Sequence, residues 1–248
     1  LYIDNKSRNP KVKGLNQFVN NVVYNWGNGT CYDMGGDSEG ESDTAIENNY
    51  MIVGPAYTYQ EVNGVVEFSQ LRPAKPFSGG NERFKTYWKG NFYDNNVDGA
   101  LNGFELTRAN WDDYCTGNPY PTFLEERSSL HPQIMGQTTA EKAYEWIIEN
   151  VGATLPVRDQ VDAYLIDELT SLGTKGTIIR NETKTEQFPL GGPGIIKTGE
   201  KPLDSDDDGI PDAFEDRWGL DKNDPSDAMK IASNGYTNIE NYAFSLEY

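Results

Sequence analysis

Four short runs of aromatic and β-branched residues, each bounded by Asn, Asp or Gly, constrain the fold of this chain more than any other feature. They are Leu1-Tyr-Ile-Asp-Asn5, Asn21-Val-Val-Tyr-Asn25, Asn49-Tyr-Met-Ile-Val53 and Asn91-Phe-Tyr-Asp-Asn95. Runs this short fit strands on a buried, pleated surface better than helices. They return irregularly, every about 20 to about 40 residues, as expected of a stacked repeat that carries loop insertions of different length. Such strands are stable only where each covers the next one's edge. The pattern therefore predicts an all-β scaffold over residues 1 to about 110. A parallel β-helix and an antiparallel sandwich both fit it, and Asn residues at the run ends could form side-chain ladders at the turns.

Composition narrows the partners. The chain has 25 Gly, 13 Pro and 15 Tyr in 248 residues, a turn-rich balance, and 39 acidic against 21 basic residues, for a net charge of −18. That field repels a polyphosphate and attracts cations, so no nucleic acid is expected as partner. No apolar run approaches the roughly 20 residues needed to span a bilayer. The chain begins at Leu1 without an initiator Met or a signal peptide, which reads as an N-terminus removed by processing or cleavage. Cys31 and Cys115 fit one disulfide or two buried thiols equally well.

Other residues carry less. His131, the only histidine, is expected in a loop without a partner, so Ser-His-Asp and zinc chemistry lack support. Asp37, Glu39, Glu41 and Asp43 read as a solvated acidic loop. Tyr87, Trp88, Phe92, Tyr93 and Trp111 read mostly as core, while Trp26 and Tyr32 are the first candidates for stacking on a ligand.

From Thr138 the texture turns helical. Thr138 or Thr139 can cap a helix with Glu141 in its first turn and an apolar stripe of Ala143, Tyr144, Ile147 and Ile148, stopped by Gly152. A second helix is predicted from Arg158 to Leu172 on Val161, Leu165, Ile166 and Leu169, introduced by Pro156 and closed by Gly173. Both are expected to pack on the outside or end of the β scaffold. The domain reading is 1–190 for that scaffold with its helices, 191–202 for a Gly/Pro linker and 203–248 for a small acidic module.

Within the module, Asp204-Ser-Asp206-Asp-Asp208-Gly209-Ile210-Pro-Asp212-Ala-Phe-Glu215 has the spacing of a twelve-residue calcium loop. Calcium takes six to eight hard oxygen ligands, and alternate carboxylates followed by a turn-forming glycine converge on one point. The expected ligands are Asp204, Asp206, Asp208, the Ile210 carbonyl, Asp212 directly or through water, and Glu215. Asp221 to Asp227 could supply a second, less regular site or ordinary Asx turns. The tail from Gly235 to Leu246 reads as a short helix capped near Thr237 or Asn238.

The segment Leu1–Gly14 opposes the rest of the chain, with four basic residues against one acid. Strand alternation puts Lys11 and Lys13 on one face, where they could grip successive carboxylates of a polyanion, with Arg8 beside them.

Arg8-Asn-Pro10 with Lys13, then Asn20-Asn-Val-Val-Tyr-Asn-Trp-Gly27 and Asn48-Asn-Tyr50, resembles the pectate lyases of polysaccharide lyase family one, whose motif is R-x-P-x-x-R. The likeness continues through Ala140-Glu-Lys-Ala-Tyr144, Gly152-Ala153, Arg158-Asp-Gln-Val-Asp162, Gly209-Ile-Pro-Asp-Ala-Phe-Glu215 and Gly235-Tyr-Thr-Asn-Ile-Glu-Asn-Tyr242. The tail likewise resembles EF-hand-like or thrombospondin type 3-like calcium modules.

The resemblance implies a right-handed parallel β-helix, secreted or extracellular, that cleaves polygalacturonate by calcium-dependent β-elimination. It implies Arg8 as the group that takes the C5 proton and Lys13, with Lys11, as substrate carboxylate anchors. Lys13 stands where the motif has Arg, which keeps the charge and loses the bidentate fork. The family's catalytic calcium ligands lie upstream of the arginine strand, so the resemblance implies a C-terminal portion that works with an N-terminal portion. The competing expectation is a non-catalytic, calcium-stabilised β-helix that binds an acidic glycan, as in adhesins or tailspikes.

Overall fold

The computed structural model describes residues 1–27, 30–35, 39–62, 65–68, 75–115, 120–154, 157–178 and 199–246. The chain divides into two compact units, Leu1–Ile196 and Lys197–Tyr248. The Gly191–Gly194 part of the expected linker and the Pro156 helix start lie outside the described residues.

In the first unit the short runs are strands. In chain order they are β1 (Tyr2–Ile3), β2 (Leu15–Val19), β3 (Val22–Tyr24), β4 (Thr30–Asp33), β5 (Ser42–Glu47), β6 (Tyr50–Ile52), β7 (Tyr59–Val62), β8 (Val65–Phe68), β9 (Lys75–Ser78), β10 (Phe84–Lys89), β11 (Phe92–Asp94), β12 (Phe104–Glu105) and β13 (Thr122–Leu124). The helices are α1 (Trp111–Tyr114), α2 (Ala140–Asn150) and α3 (Gln160–Thr170).

Three parallel sheets take the strands in rotation. One runs β1-β3-β6-β11 with β12 at its edge, a second β2-β5-β10-β13, and a third β4-β9. A parallel bridge from Lys11 to Asp33 extends the third sheet by one circuit. Only β11–β12 and the β7–β8 hairpin pair antiparallel among the described strands, which excludes the antiparallel sandwich. Register repeats from circuit to circuit, as Val23↔Met51↔Tyr93 and Phe18↔Ile46↔Trp88.

That register is fixed at a corner. Before β3, β6 and β11 of the first sheet, one residue takes left-handed backbone (Asn20, φ 55°; Asn48, φ 52°; Gly90, φ 66°) and an Asn follows it. The backbone N–H of Asn21 donates to Asn49 Oδ1 at 2.8 Å, and that of Asn49 donates to Asn91 Oδ1 at 3.1 Å. Asn49 Nδ2 also donates to Asn91 Oδ1 and to the Phe18 carbonyl, both at 2.8 Å. Asn49 and Asn91 are fully buried, so these bonds satisfy groups that water cannot reach. The Asn ladder expected from the sequence is this row. Gly90 is required because a Cβ there would collide with the side-chain oxygen of Asn48.

Sheet pleat then sorts the side chains. Val23, Met51 and Tyr93 face an interior shared with Phe18, Ile46, Tyr32, Phe77, Trp26 and Trp111. Val22, Tyr50, Tyr24 and Ile52 face outward and are buried under Ala140, Tyr144 and Ile147 of α2 and Leu169 of α3. Both faces of the first sheet are therefore covered, which explains why its strands are continuous apolar runs. Thr139 caps α2 by accepting from Lys142 N–H, and Asp159 caps α3 through Asp162 N–H. Arg158 closes the far end of α2, donating to the carbonyls of Ile148 and Glu149 at 2.8 and 2.9 Å, where a cation meets the negative end of the helix dipole.

One polar group intrudes where α3 meets β1. Asp4 is buried beside the equally buried Glu168 of α3 and accepts from Asn25 Nδ2 at 2.6 Å. Burial, the hydrogen bond to Glu168 and its charge push the Asp4 carboxyl well above the ordinary range.

Two outcomes follow for the first unit. Asn49→Ala leaves buried donors and acceptors unpaired on both sides and should lower unfolding free energy by roughly 3 kcal/mol, read by denaturant titration; a loss under about 1 kcal/mol would remove the ladder from its structural role. The raised Asp4 pKa means that the folded state keeps a proton which the unfolded chain releases at ordinary carboxyl values. Its stabilising contribution is present at low pH and lost as pH rises toward the folded pKa. Asp4→Asn should accordingly flatten the decline in stability between about pH 5 and pH 8, and an unchanged slope would show that Asp4 is ionised in the fold.

Candidate functional site

The basic segment lies on the first circuit of the third sheet. Asn9 N–H donates to the Cys31 carbonyl at 2.9 Å, Asp33 N–H to the Pro10 carbonyl at 2.9 Å, and Val12 N–H to the Asp33 carbonyl at 3.1 Å. The Asn9–Pro10 bond is cis and Arg8 has left-handed backbone, φ 63°. Asn9 is buried and Val12 packs on the interior cluster, so the segment is anchored from beneath. Arg8 and Lys11 are exposed and Lys13 is half-buried. No carboxylate among the described residues forms an ion pair with Arg8 or Lys11. The arrangement is a fixed backbone presenting a cationic face, suited to a polyanion.

The second unit carries an acidic centre. Its helices are α4 (Asp212–Trp218) and α5 (Asn238–Ser245), the latter opened by a capping box of Thr237 and Glu240. Ile210, Phe214 and Ala228 form its small core, with Leu220, Ile239 and Tyr242 around them. Asp207 and Gly209 take left-handed backbone and turn the loop so that Gly209 N–H donates to Asp204 Oδ2 at 3.2 Å and Ile210 N–H to Asp208 Oδ1 at 2.8 Å. Asp204, Asp206 and Asp208 bring carboxylate oxygens within 4.8 Å of one another, and so do Asp208, Glu215 and Asp227. Glu215 is 0% exposed and Asp227 4%.

The oxygens at this centre lack protons to accept. Asp204 Oδ1, both oxygens of Asp206, Asp208 Oδ2, both oxygens of Glu215 and Asp227 Oδ1 are buried without a hydrogen-bond partner among the described residues. Burial and then the charges of Asp206 and Asp208 push Glu215 up to about 7. Burial and Asp208 raise Asp206. Such an oxygen-only set, self-repelling when ionised, suits a hard divalent cation.

Not every expected ligand faces that centre. Both oxygens of Asp212 accept from Ser205, from its N–H and its Oγ, each at 2.7 Å, and these bonds lower its pKa. The Ile210 side chain is core, and its N–H braces Asp208. Asp227, read from the sequence as part of a possible second site, instead joins Asp208 and Glu215. No regular spacing signals it, because it reaches back from a later turn.

Two further readings are corrected, and the open choice for the cysteines is decided. Trp26 and Tyr32 are buried, 1% and 0% exposed, and their neighbours in the interior leave no face for a ligand. His131 is not an unpartnered loop residue; it is 3% exposed and its Nε2 lies 2.9 Å from Asp43 Oδ1. Asp43 is thereby removed from the expected acidic loop, of which Asp37 lies outside the described residues. Cys31 and Cys115 are free, buried thiols in the interior cluster, and burial pushes both up, so neither acts as a nucleophile.

No model of a protein family matches the chain, and no solved structure does. Curated fungal proteins do. The chain is 42% identical over 246 residues to a probable pectate lyase C of Aspergillus terreus, 40% identical to one of Emericella nidulans and 39% identical to one of Aspergillus fumigatus. Each match takes in 99% of this chain and 51–52% of the relative. The chain thus spans about half the length of the curated relatives it matches.

Proposed function

We propose that the protein is a polysaccharide lyase acting on polygalacturonate, with the basic segment as the arginine side of its active site. The observation that carries this is the cationic face of Arg8, Lys11 and Lys13, set rigidly on a sheet in a chain of net charge −18. Similarity to probable pectate lyases over nearly the whole chain supports it. The rotation of strands through three parallel sheets supports a right-handed parallel β-helix as the scaffold.

In β-elimination a base takes the C5 proton of a uronate, its electron pair forms the C4–C5 double bond, and the C4–oxygen bond breaks with the pair leaving on oxygen, which gains a proton. Arg8 is the proton acceptor in this reading. Only the neutral guanidine, left once its proton has gone to solvent, has a lone pair to accept with, and at a pKa above about 12 that form serves only if the C5 proton is acidified and the transfer distance is short. Lys11 and Lys13 serve the first need by holding uronate carboxylates, and the paired backbone of residues 9–12 serves the second. A catalytic calcium ion in such enzymes would withdraw charge from the uronate carboxylate. Among the described residues the carboxylate groups that could hold a cation belong to 204–227 of the second unit, and the described residues of the first unit, which carries Arg8, form no such group. The residues present do not fit that ion, and no step is assigned to it. An extended wall polymer as substrate implies action outside the cell.

The second unit, in the same reading, is a calcium-binding module over 203–248 in which Asp204, Asp206, Asp208, Glu215 and the Ile210 carbonyl hold the ion. Its support is the set of orphaned buried carboxylate oxygens.

Arg8→Lys should lower turnover on polygalacturonate about 100-fold or more with unchanged thermal stability, followed by the ultraviolet absorbance of the unsaturated product. Full activity in that variant would remove Arg8 from proton transfer. A wild-type protein that binds polygalacturonate and yields no product would point instead to a glycan-binding scaffold. For the second unit, Glu215→Gln should raise stability in chelator above neutral pH, where the wild-type carboxylate is forced to ionise among other acids. It should abolish the stabilisation that calcium gives wild type. Calorimetry with and without calcium checks both, and equal calcium stabilisation of variant and wild type would refute the loop.

A further inference from the structure

The calcium loop by itself accounts for Asp204, Asp206, Asp208 and Glu215, but the buried acids do not stop there. Asp227 stands in the turn after α4, 4% exposed, with its Oδ1 unpartnered and within 4.8 Å of ligand oxygens of Asp208 and Glu215. Its other oxygen, Oδ2, accepts from Asp221 N–H at 2.9 Å, which fixes the carboxylate in place. Its carbonyl accepts from Asn238 Nδ2 at 2.8 Å, at the start of α5. Asp212, which the loop spacing nominates, spends both oxygens on Ser205.

We propose that Asp227, and not Asp212, completes the shell of the cation bound by the 204–215 loop, and that this ligand makes ion binding hold α5 in place. The inference rests on the calcium reading of the loop. The chemistry favours calcium: the seven unpartnered carboxylate oxygens at this centre match its six to eight oxygen ligands, whereas magnesium demands six at tighter octahedral geometry. The coupling follows from size. The core of the unit is Ile210, Phe214 and Ala228 with three half-buried neighbours, less than a free-standing fold of this length normally needs. An ion gripped by the loop, by Glu215 of α4 and by Asp227 joins the segments that this core joins weakly.

The test uses the full chain. Asp227→Asn keeps the shape and the acceptor for Asp221 N–H while removing the charge, and Asp212→Asn is its contrast. Calcium titration by calorimetry should give an affinity lower by about 30-fold or more for Asp227→Asn, with a smaller loss for Asp212→Asn. Hydrogen exchange should lose the calcium-induced protection of Asn238–Ser245 in the first variant. In wild type, calcium should shift the carbon-13 carboxyl resonance of Asp227 and leave that of Asp212 in place, a readout independent of how either variant folds. Calcium binding by Asp227→Asn within about threefold of wild type, or an unmoved Asp227 resonance, overturns the assignment while the loop stands. Absence of calcium binding in wild type overturns both.

Discussion

The amide row Asn21–Asn49–Asn91, buried at Asn49 and Asn91, is the interaction on which the first unit depends. Strands of three residues, as β3, β6 and β11 are, pair too briefly to choose their own register. The ladder chooses it for them, because each Asn side chain accepts the main-chain N–H of the Asn one circuit earlier. A left-handed residue immediately before each rung sets the corner angle. With the corner fixed, the inward residues of successive circuits must superimpose, and the interior becomes columns of like shape such as Tyr32 stacked on Phe77 at 5.8 Å. A one-residue slip would turn every column outward and leave the amides unpaired.

Covering the first sheet on both faces has a price in polar groups at its margin. Tyr24 lies beneath α3 and the turn after it; its hydroxyl donates to the Lys175 carbonyl, accepts from Gly173 N–H at 3.1 Å and lies 3.1 Å from Ser171 Oγ. Asp4 and Glu168 have no such complement of donors: beyond the Asn25 amide, the buried oxygens that remain, Asp4 Oδ2 and Glu168 Oε2, have no donor but a proton kept between the two acids. The sheet gains its helical cover by burying two acids together, and a retained proton relieves the repulsion between them. Stability of the scaffold is therefore tied to pH at the Asp4–Glu168 pair, whose Asp4 stands four residues before Arg8 in the chain.

Much of this was legible in the residues. The aromatic runs bounded by Asn located the strands, since turn chemistry and β propensity agree there. Thr139 and the Ala143, Tyr144, Ile147 stripe located α2 because a cap and a periodic face coincide. Pattern alone left pairing direction open, for parallel and antiparallel stacks have the same alternation, and only the corner geometry decides. Trp26 and Tyr32 proved to be core because aromatic character alone does not say whether a ring faces the interior or a ligand. His131 was misjudged because its partner Asp43 lies 88 residues away, beyond any local motif. The place of Asp227 was hidden for a similar reason: loop spacing nominates Asp212, directly or through water, but does not show that Ser205, seven residues earlier, bonds both of its oxygens, or that Asp227 comes within 4.8 Å of Asp208 and Glu215.

The two charged centres solve opposite electrostatic problems, and the solutions explain where each lies. A cationic face must stay hydrated until a polyanion arrives, so Arg8 and Lys11 are exposed, and the fold invests in holding the backbone beneath them rather than the side chains. Preorganisation of that kind lowers the cost of aligning a polymer without burying an unpaired charge. The acidic centre has no waiting state of comparable comfort. Its oxygens are already withdrawn from water, so an unfilled shell opposes the fold that builds it. In the proposed reading a site arranged this way depends on a cation for stability, whereas the basic face depends on no ligand to stay folded. That asymmetry is what separates the structural reading of the second unit from the catalytic reading of the first.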